Sequence, residues 1–160
     1  MSKRSRQNRL AIGSAELSDR IPHDFGKFTR MYRAVTRRIE VTVEPNFLPK
    51  RSSAEKHEYL WSYTIAITNS GEETVQLRTR HWIITDASGH KQEVRGEGVI
   101  GEQPVLAPGG RFEYASYVPL PTASGLMSGS FQMVTGSGEW FEIEVPAFSL
   151  DSPDSKRSPN

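Results

Sequence analysis

A glycine-rich run in the middle of the chain is the first feature that could carry chemistry. Positions 96–101 read GEGVIG, with the spacing G-x-G-x-x-G that in dinucleotide-binding folds closes a strand and opens a helix. The amides at the start of that helix hold a pyrophosphate. Here the next residues are EQPVLAPGG, and their two prolines and two glycines exclude a regular helix. The run is therefore not predicted to bind a dinucleotide.

Two interpretations of this run stay open. Successive glycines can form a nest of converging amides that binds a small anion such as pyrophosphate or a nucleotide, and Arg95 would add positive charge. In the same functional interpretation, the loop could instead contact a partner protein. The alternative is structural: glycine supplies the positive φ angles that a long inter-strand loop needs. The residues of this candidate loop are Arg95, Gly96, Glu97, Gly98, Val99, Ile100 and Gly101.

Three basic residues, Arg78, Arg80 and His81, lie within one predicted strand. Side chains two positions apart in a strand share a face, so Arg78 and Arg80 are predicted to form a cationic patch for an acidic partner. The alternative is that both pair with glutamates on a solvated face. His81 precedes Trp82 and could equally be a structural histidine.

The remaining titratable residues show no spacing typical of a metal or catalytic site. The four histidines, at positions 23, 57, 81 and 90, form no H-x-H, H-x₃-H or H-E-x-x-H motif. Cysteine is absent, which excludes thiolate metal sites, disulfides and cysteine nucleophiles. No G-x-S-x-G motif is present. We therefore predict no metal, no cofactor and no enzymatic activity.

Alternating hydrophobicity predicts that β-strands position these residues. The side chains predicted to be buried along three strands are Ile39, Val41, Val43, Trp61, Tyr63, Ile65, Ile67, Val75, Leu77, Trp82 and Ile84. The alternation slips between Leu77 and Trp82, which predicts a bulge near residues 78–81. Pro45 is expected to end the first strand. Trp140 and Phe141 are adjacent and must point to opposite faces, so one of these aromatic rings is expected on an outer surface.

Seven or eight such strands follow one another, with no convincing helix. This pattern predicts an all-β fold, an antiparallel immunoglobulin/fibronectin-III-like sandwich. A length of 160 residues with 36% hydrophobic residues fits one such domain. We place it at residues 31–150, between a basic N-terminal arm at residues 1–30 and a tail at residues 151–160, both of which are predicted to be disordered.

Charge is divided unevenly along the chain. Residues 1–38 carry ten basic and three acidic side chains, a net charge of +7, whereas residues 39–150 carry a net charge of −6. Only the basic arm could contact nucleic acid, through phosphates, and nucleic-acid binding is otherwise not expected. No stretch is long and apolar enough for a membrane span or a secretory signal, and a cytoplasmic location is expected.

Four sequence blocks together resemble the ApaG (CorD) family: TVQLRTRHWIITD, EVRGEGVIGEQPVLAPGGRFEYAS, GLMSGSFQMV and VPAFSL. The resemblance begins at Met31 and covers residues 31–150, which leaves open whether translation starts at Met1 or at Met31. It implies the sandwich fold and an association with cobalt and magnesium resistance or efflux. Related domains look like protein-binding modules, and no catalytic motif is present, so we predict a non-catalytic binding module with an unidentified protein partner. An exposed aromatic patch would suggest a partner surface or a homodimer. The family tends to carry glycine where this chain has Arg38.

Overall fold

The computed structural model describes residues 30–157, and the predicted N-terminal arm lies almost entirely outside them. The described chain is built from β-strands and short 3-10 turns. The strands are β1 (Tyr32–Thr36), β2 (Ile39–Phe47), β3 (Tyr59–Asn69), β4 (Val75–Asp86), β5 (Lys91–Glu97), β6 (Val105–Leu106), β7 (Arg111–Leu120), β8 (Gly125–Thr135) and β9 (Trp140–Leu150). Among residues 30–157, no helix is long and apolar enough to cross a membrane.

Two antiparallel sheets form a sandwich, which confirms the predicted fold class. The first sheet has the order β1-β2-β3-β7 and the second the order β5-β4-β8-β9, with the short β6 paired to the start of β4. Every pairing within the sheets is antiparallel. Each strand therefore turns alternate side chains toward the facing sheet.

The inner faces of the two sheets make one continuous core. All eleven side chains that alternation predicted to be buried lie in it. Phe148 of β9 is completely buried, and its ring lies 5.8–6.2 Å from the rings of Tyr32, Tyr63 and Trp82. The four rings come from four different strands, two in each of the facing sheets, so this aromatic cluster joins the two layers.

The described strands number nine, more than the seven or eight predicted. The sequence prediction missed β1 and the two-residue β6, and it ended β2 too early. Pro45 lies inside β2, opposite Tyr63 of β3. The backbone nitrogen of Pro45 faces β1 and not β3. The last pair between β1 and β2 is Tyr32 with Val43, so no strand lies beside Pro45 to accept a hydrogen bond from it.

The β1–β2 turn uses two arginines in an unusual conformation. Arg37 and Arg38 have φ angles of +51° and +64°, a region that glycine enters at little cost and arginine does not. Arg38 is the position where the ApaG resemblance leads one to expect glycine. The Arg37 guanidinium donates to both carboxylate oxygens of Glu139, at 3.1 and 3.3 Å, and lies 4.1 Å above the Phe141 ring. These contacts between the sheets help to hold the turn.

The sandwich is closed along the side where β1 meets β9. The backbone N–H of Glu144 donates to Thr36 Oγ1 at 3.1 Å, and that of Ser149 donates to the Tyr32 hydroxyl at 3.3 Å. Side chains of β1 therefore satisfy backbone donors of β9, an edge strand of the second sheet.

The described chain continues in contact with the domain beyond Leu150. The indole N–H of Trp61 donates to the Asp151 carbonyl at 2.9 Å, and the buried Ser152 hydroxyl donates to the Ala123 carbonyl at 2.6 Å. A 3-10 turn follows at Pro153–Arg157. The prediction of a disordered tail beginning at residue 151 is wrong for Asp151 and Ser152. Amino-acid composition carries no information about hydrogen bonds to partners distant in the sequence.

We expect Phe148→Ala to lower the free energy of unfolding by about 3–5 kcal/mol, because it removes the ring at the centre of the aromatic cluster. Chemical denaturation measures this loss. Leu126→Ala is the control: Leu126 is 47% exposed, and its loss should change stability by less than about 0.5 kcal/mol. Equal losses from the two variants would contradict this assignment of the core.

Candidate functional site

A β-bulge in β4 separates the two arginines of the predicted cationic patch. The register of β4 against β8 shifts between Leu77 and Thr79, so Arg78 is the extra residue. This confirms the predicted bulge. Arg80 then lies opposite the fully buried Phe131 and is on the inner face. Arg78 and Arg80 do not share a face, and the prediction that they form one patch is wrong because the inserted residue breaks the period of two.

Arg80 is held by the glycine-rich loop. Its Nη1 donates to the carbonyl oxygens of Glu97, at 3.0 Å, and Gly98, at 2.9 Å. Gly96 lies opposite Arg80 in the β4–β5 pair, and a Cβ at Gly96 would approach Nη1 to 2.8 Å. The first glycine of the motif thus leaves room for a guanidinium. We call this arrangement of Gly96, Glu97 and Gly98 around Arg80 the arginine cradle.

The second half of the motif is a tight hairpin. Val99 and Glu102 exchange backbone hydrogen bonds of 2.8 Å in both directions. The two residues between them, Ile100 and Gly101, have φ angles of +43° and +76°, the signs that a type I′ turn requires. Gly98 also has a positive φ, +62°, and a Cβ there would lie 2.3 Å from the Glu102 carbonyl oxygen.

This geometry does not favour the anion-nest interpretation. The amide of Gly98 donates to the Arg78 carbonyl at 2.8 Å, and the amides of Val99 and Glu102 are used within the hairpin. The carbonyls of the arginine cradle point at a cation, not an anion. Arg95 does not reinforce the loop, because its guanidinium binds Glu93 at 3.1 Å.

Two buried tyrosines accompany Arg80 inside the sandwich. Burial raises the pKa of Tyr63, and its hydrogen bond with Ser116 opposes that rise. Burial raises the pKa of Tyr114 still more, and the Tyr114 hydroxyl has no hydrogen-bond partner. The positive charge of Arg80 acts on both hydroxyls in the opposite direction. Arg80 is therefore a half-buried residue on the inner face of the second sheet.

His81 pairs with a carboxylate on the outer face of the second sheet. Its Nε2 forms a hydrogen bond with Glu93 of the neighbouring strand, and Arg95 binds the same carboxylate. The hydrogen bond from His81, followed by the charge of Arg95, holds the pKa of Glu93 below its usual value. Among the residues that the structure describes, no three His, Asp or Glu side chains come together as a metal site would require.

Arg78 belongs to a different surface, which sequence reasoning largely missed. Its guanidinium donates to Gln76 Oε1 at 2.9 Å and lies 5.5 Å from the centre of the Trp140 ring. Trp140 is 55% exposed, so it is the outward aromatic that its adjacency to Phe141 had predicted. The register aligns Val105, Gln76, Val134 and Trp140 across four strands.

We call the surface formed by Val105, Trp140 and Arg78, in a row with the largely buried Val134, the Trp140 surface. Val105 is 62% exposed and lies on β6, the two-residue strand that the sequence did not reveal. The sequence signals for this surface were the Trp140–Phe141 pair and Arg78, which the sequence had assigned to a patch with Arg80. The rest of it exists only because β6 pairs with β4 and thereby extends the row.

The fold and this site define a class of protein: a small antiparallel β-sandwich domain with a glycine-rich hairpin beside an exposed aromatic surface. Residues 49–135 match the ApaG domain family. The protein ApaG of Rhodopseudomonas palustris is 77% identical over 130 residues, which cover 81% of this chain and all of that one. The protein ApaG of Bradyrhizobium diazoefficiens is 76% identical over 127 residues, 79% of this chain and 98% of that one. This chain belongs to the ApaG family.

Solved structures agree with this assignment. A crystal structure of a protein from Bordetella pertussis described as ApaA superposes with a TM-score of 0.70 at 45% identity, covering 72% of this chain and 94% of that one. A second X-ray structure superposes with a TM-score of 0.69 at 44% identity, covering 75% of this chain and 91% of that one. The resemblance on which the sequence prediction rested is thereby confirmed.

We expect Gly98→Ala to destabilise the protein more than Gly101→Ala. Both glycines have positive φ, so each substitution costs about 1–2 kcal/mol of backbone strain. Only the Cβ at position 98 meets a backbone oxygen, whereas the Cβ at position 101 has nothing within 4 Å. The difference in melting temperature between the two variants therefore measures the cost of the contact between the added methyl group and the Glu102 carbonyl. Equal melting temperatures would show that the hairpin yields to the added methyl group.

The His81–Glu93 pair should stabilise the fold at neutral pH and lose this effect in acid. Because the pKa of Glu93 is lowered in the folded state, its contribution is present above the usual glutamate pKa and disappears as the pH falls through the folded value. The difference in melting temperature between the parent protein and Glu93→Gln should therefore shrink between about pH 6 and pH 3. A constant difference would mean that Glu93 acts only through packing.

Proposed function

We propose that this protein is a non-catalytic binding module that recognises another protein through the Val99–Glu102 hairpin and the neighbouring Trp140 surface. Any effect on cobalt or magnesium resistance, which the family resemblance implies, would be exerted through that partner. The conformation of Ile100 carries this proposal, and the chemistry of the Trp140 surface describes the partner.

Ile100 occupies a position that is costly for its type of side chain. Its φ of +43° is in the left-handed region, which β-branched residues avoid, and strain of this kind costs about 1–3 kcal/mol. The side chain is 38% exposed, so contacts within the domain recover only part of that cost. Strained residues cluster at binding sites, where a partner can stabilise the side chain that the fold presents.

The hairpin that carries Ile100 is firmly attached to the sheet. The arginine cradle fixes its first residues, and the Gln103 side chain donates to the Arg78 carbonyl at 2.8 Å on its other side. A rigid tip loses little conformational entropy when a partner binds, which favours affinity.

The Trp140 surface indicates the chemistry of the partner. Val105 and Trp140 are large apolar side chains left exposed on one face, and tryptophan is enriched among residues that dominate binding energy. No carboxylate among residues 30–157 forms a salt bridge with Arg78. The surface therefore fits a protein segment that offers an apolar side chain to Trp140 and a carboxylate to Arg78.

Affinity purification with matched variants tests this proposal. The full chain, Trp140→Ala, Arg78→Glu and the control Leu126→Ala are each used to capture partners from the native cell. Leu126 is an exposed apolar residue at the far end of the same sheet, level with Thr85 and Ser149. A protein that the full chain and the control retain, but the two site variants lose, is then purified and its binding is measured directly.

The proposal predicts a weakening of binding by at least about tenfold for Trp140→Ala, the range of a typical hot-spot residue. Equal retention by all four chains, or a captured protein that does not bind when purified, would refute a role for the Trp140 surface.

Ile100→Gly should separate stability from binding. Glycine accepts the positive φ, so we expect the melting temperature to rise, by about 1 kcal/mol of stability, while partner binding weakens. Differential scanning calorimetry and the binding assay above measure the two effects on one preparation. A gain in both stability and affinity would mean that Ile100 is not a contact residue.

A further inference from the structure

Opposite the closed β1–β9 side, two strands have free edges. In the described part of the chain, β7 pairs only with β3, and β5 pairs only with β4. An unpaired edge presents a row of backbone donors and acceptors to which another strand can add.

The hydrogen-bonding phase of β7 can be fixed from its start. The Asn69 amide donates to the Gly110 carbonyl at 2.9 Å, and the register then pairs Thr68 with Arg111. Antiparallel pairs alternate between bonded and non-bonded, so every second residue of β7 turns its N–H and C=O away from β3. The outward residues are Arg111, Glu113, Ala115, Tyr117 and Pro119. Proline, which lacks an N–H, thus falls on the outward side.

Two backbone hydrogen bonds fix the phase of β5 in the same way. The Gly98 amide donates to the Arg78 carbonyl at 2.8 Å, and the Asp86 amide donates to the His90 carbonyl at 3.0 Å. The outward residues of β5 are therefore Lys91, Glu93, Arg95 and Glu97, whose charges alternate in sign along the strand.

We propose that two copies of this chain associate along this side, with β7 of one copy adding antiparallel to β7 of the other about a two-fold axis. The first sheets of the two copies then form one continuous sheet. This inference does not depend on the proposed function, because the surface lies on different strands from the Trp140 surface.

The charges on β7 select one register. An axis through Glu113 would place two glutamates opposite each other, which is unfavourable. An axis through Ala115 places the small Ala115 side chains of the two copies together and Glu113 opposite the partner subunit's Tyr117. This register also gives a long overlap, with Arg111 opposite the partner subunit's Pro119.

The charges on β5 of one copy also complement those on β5 of the other copy, about a two-fold axis near the one chosen for β7. An axis through Val94 brings Lys91 opposite the partner subunit's Glu97 and Glu93 opposite the partner subunit's Arg95. Both pairs have opposite signs, which favours antiparallel approach.

The two axes lie at the same level of the sandwich. Tyr63 pairs with Ser116, the neighbour of Ala115, and Trp82 pairs with Val94. The rings of Tyr63 and Trp82 are 5.7 Å apart across the core. One two-fold axis can therefore pass close to both Ala115 and Val94, so the hydrogen bonds of β7 and the charge pairs of β5 form in the same dimer.

Sedimentation equilibrium of the full chain, at concentrations up to about 1 mM, tests the proposal. The parent protein should show a reversible monomer–dimer equilibrium. Ala115→Pro removes the central outward N–H but no bond to β3, so it should weaken dimerisation by at least about tenfold with little change in melting temperature. Glu144→Lys, on the closed β9 edge, is the control and should leave the equilibrium unchanged.

A charge-swap cycle gives an independent measurement that does not depend on how proline is tolerated. Lys91→Glu and Glu97→Lys should each weaken the dimer by about threefold to tenfold, because each creates two like-charged pairs. The double variant carrying both changes should restore the parent affinity. Monomer at every concentration would overturn the proposal, as would a dimer that neither Ala115→Pro nor the charge cycle alters.

Discussion

One inserted residue in β4 determines how the rest of the site is arranged. Because Arg78 is the extra residue of a bulge, Arg80 turns into the sandwich and Arg78 turns out of it. Arg80 then needs acceptors at the end of β5, and the carbonyls of Glu97 and Gly98 supply them. A Cβ at Gly96 would lie 2.8–2.9 Å from the guanidinium, so glycine at this position leaves room for the contact. The bulge, the half-buried Arg80 guanidinium and the glycine-rich loop are thus one structural unit.

This unit explains why a phosphate-binding sequence pattern occurs without the corresponding fold. In a dinucleotide site, glycines let backbone amides approach a pyrophosphate. Here they let backbone carbonyls approach an arginine of the same chain, and they allow the positive φ angles of a tight hairpin. The same residue type serves opposite charges because glycine supplies access to the backbone, and the local chain direction decides whether N–H or C=O groups converge.

The two sides of the sandwich differ in how their strand edges are satisfied. Side chains of β1 bind backbone donors of β9 on one side. On the other side, β5 and β7 keep outward backbone groups, and only the alternating charges of β5 and the proline near the end of β7 limit what can add there. Membership of the ApaG family, which the relatives establish over about four-fifths of the chain, gives the fold its name but leaves these surfaces to be interpreted by their chemistry.

The sequence by itself determined the strands with strong alternation. Trp61, Tyr63, Ile65 and Ile67 were placed in the core because a period of two reports directly which face is buried. The same alternation revealed the bulge, since Leu77 and Trp82 can both be buried only if one residue is inserted between them. Periodicity is a local property, so it needs no knowledge of the partner strands.

Only the tertiary structure decided which groups meet. Pairing between strands that are distant in the sequence determines which face of the sheet Arg80 lies on and which carbonyls accept its hydrogen bonds. It also creates the row that joins Val105 to Trp140. Pro45 could remain within β2 because β1 had already ended beside it. The two hydrogen bonds that hold Asp151 and Ser152 have partners 90 and 29 residues away. Such contacts leave no periodic trace in the sequence, because they are set by how the sheets assemble and not by the order of neighbouring residues.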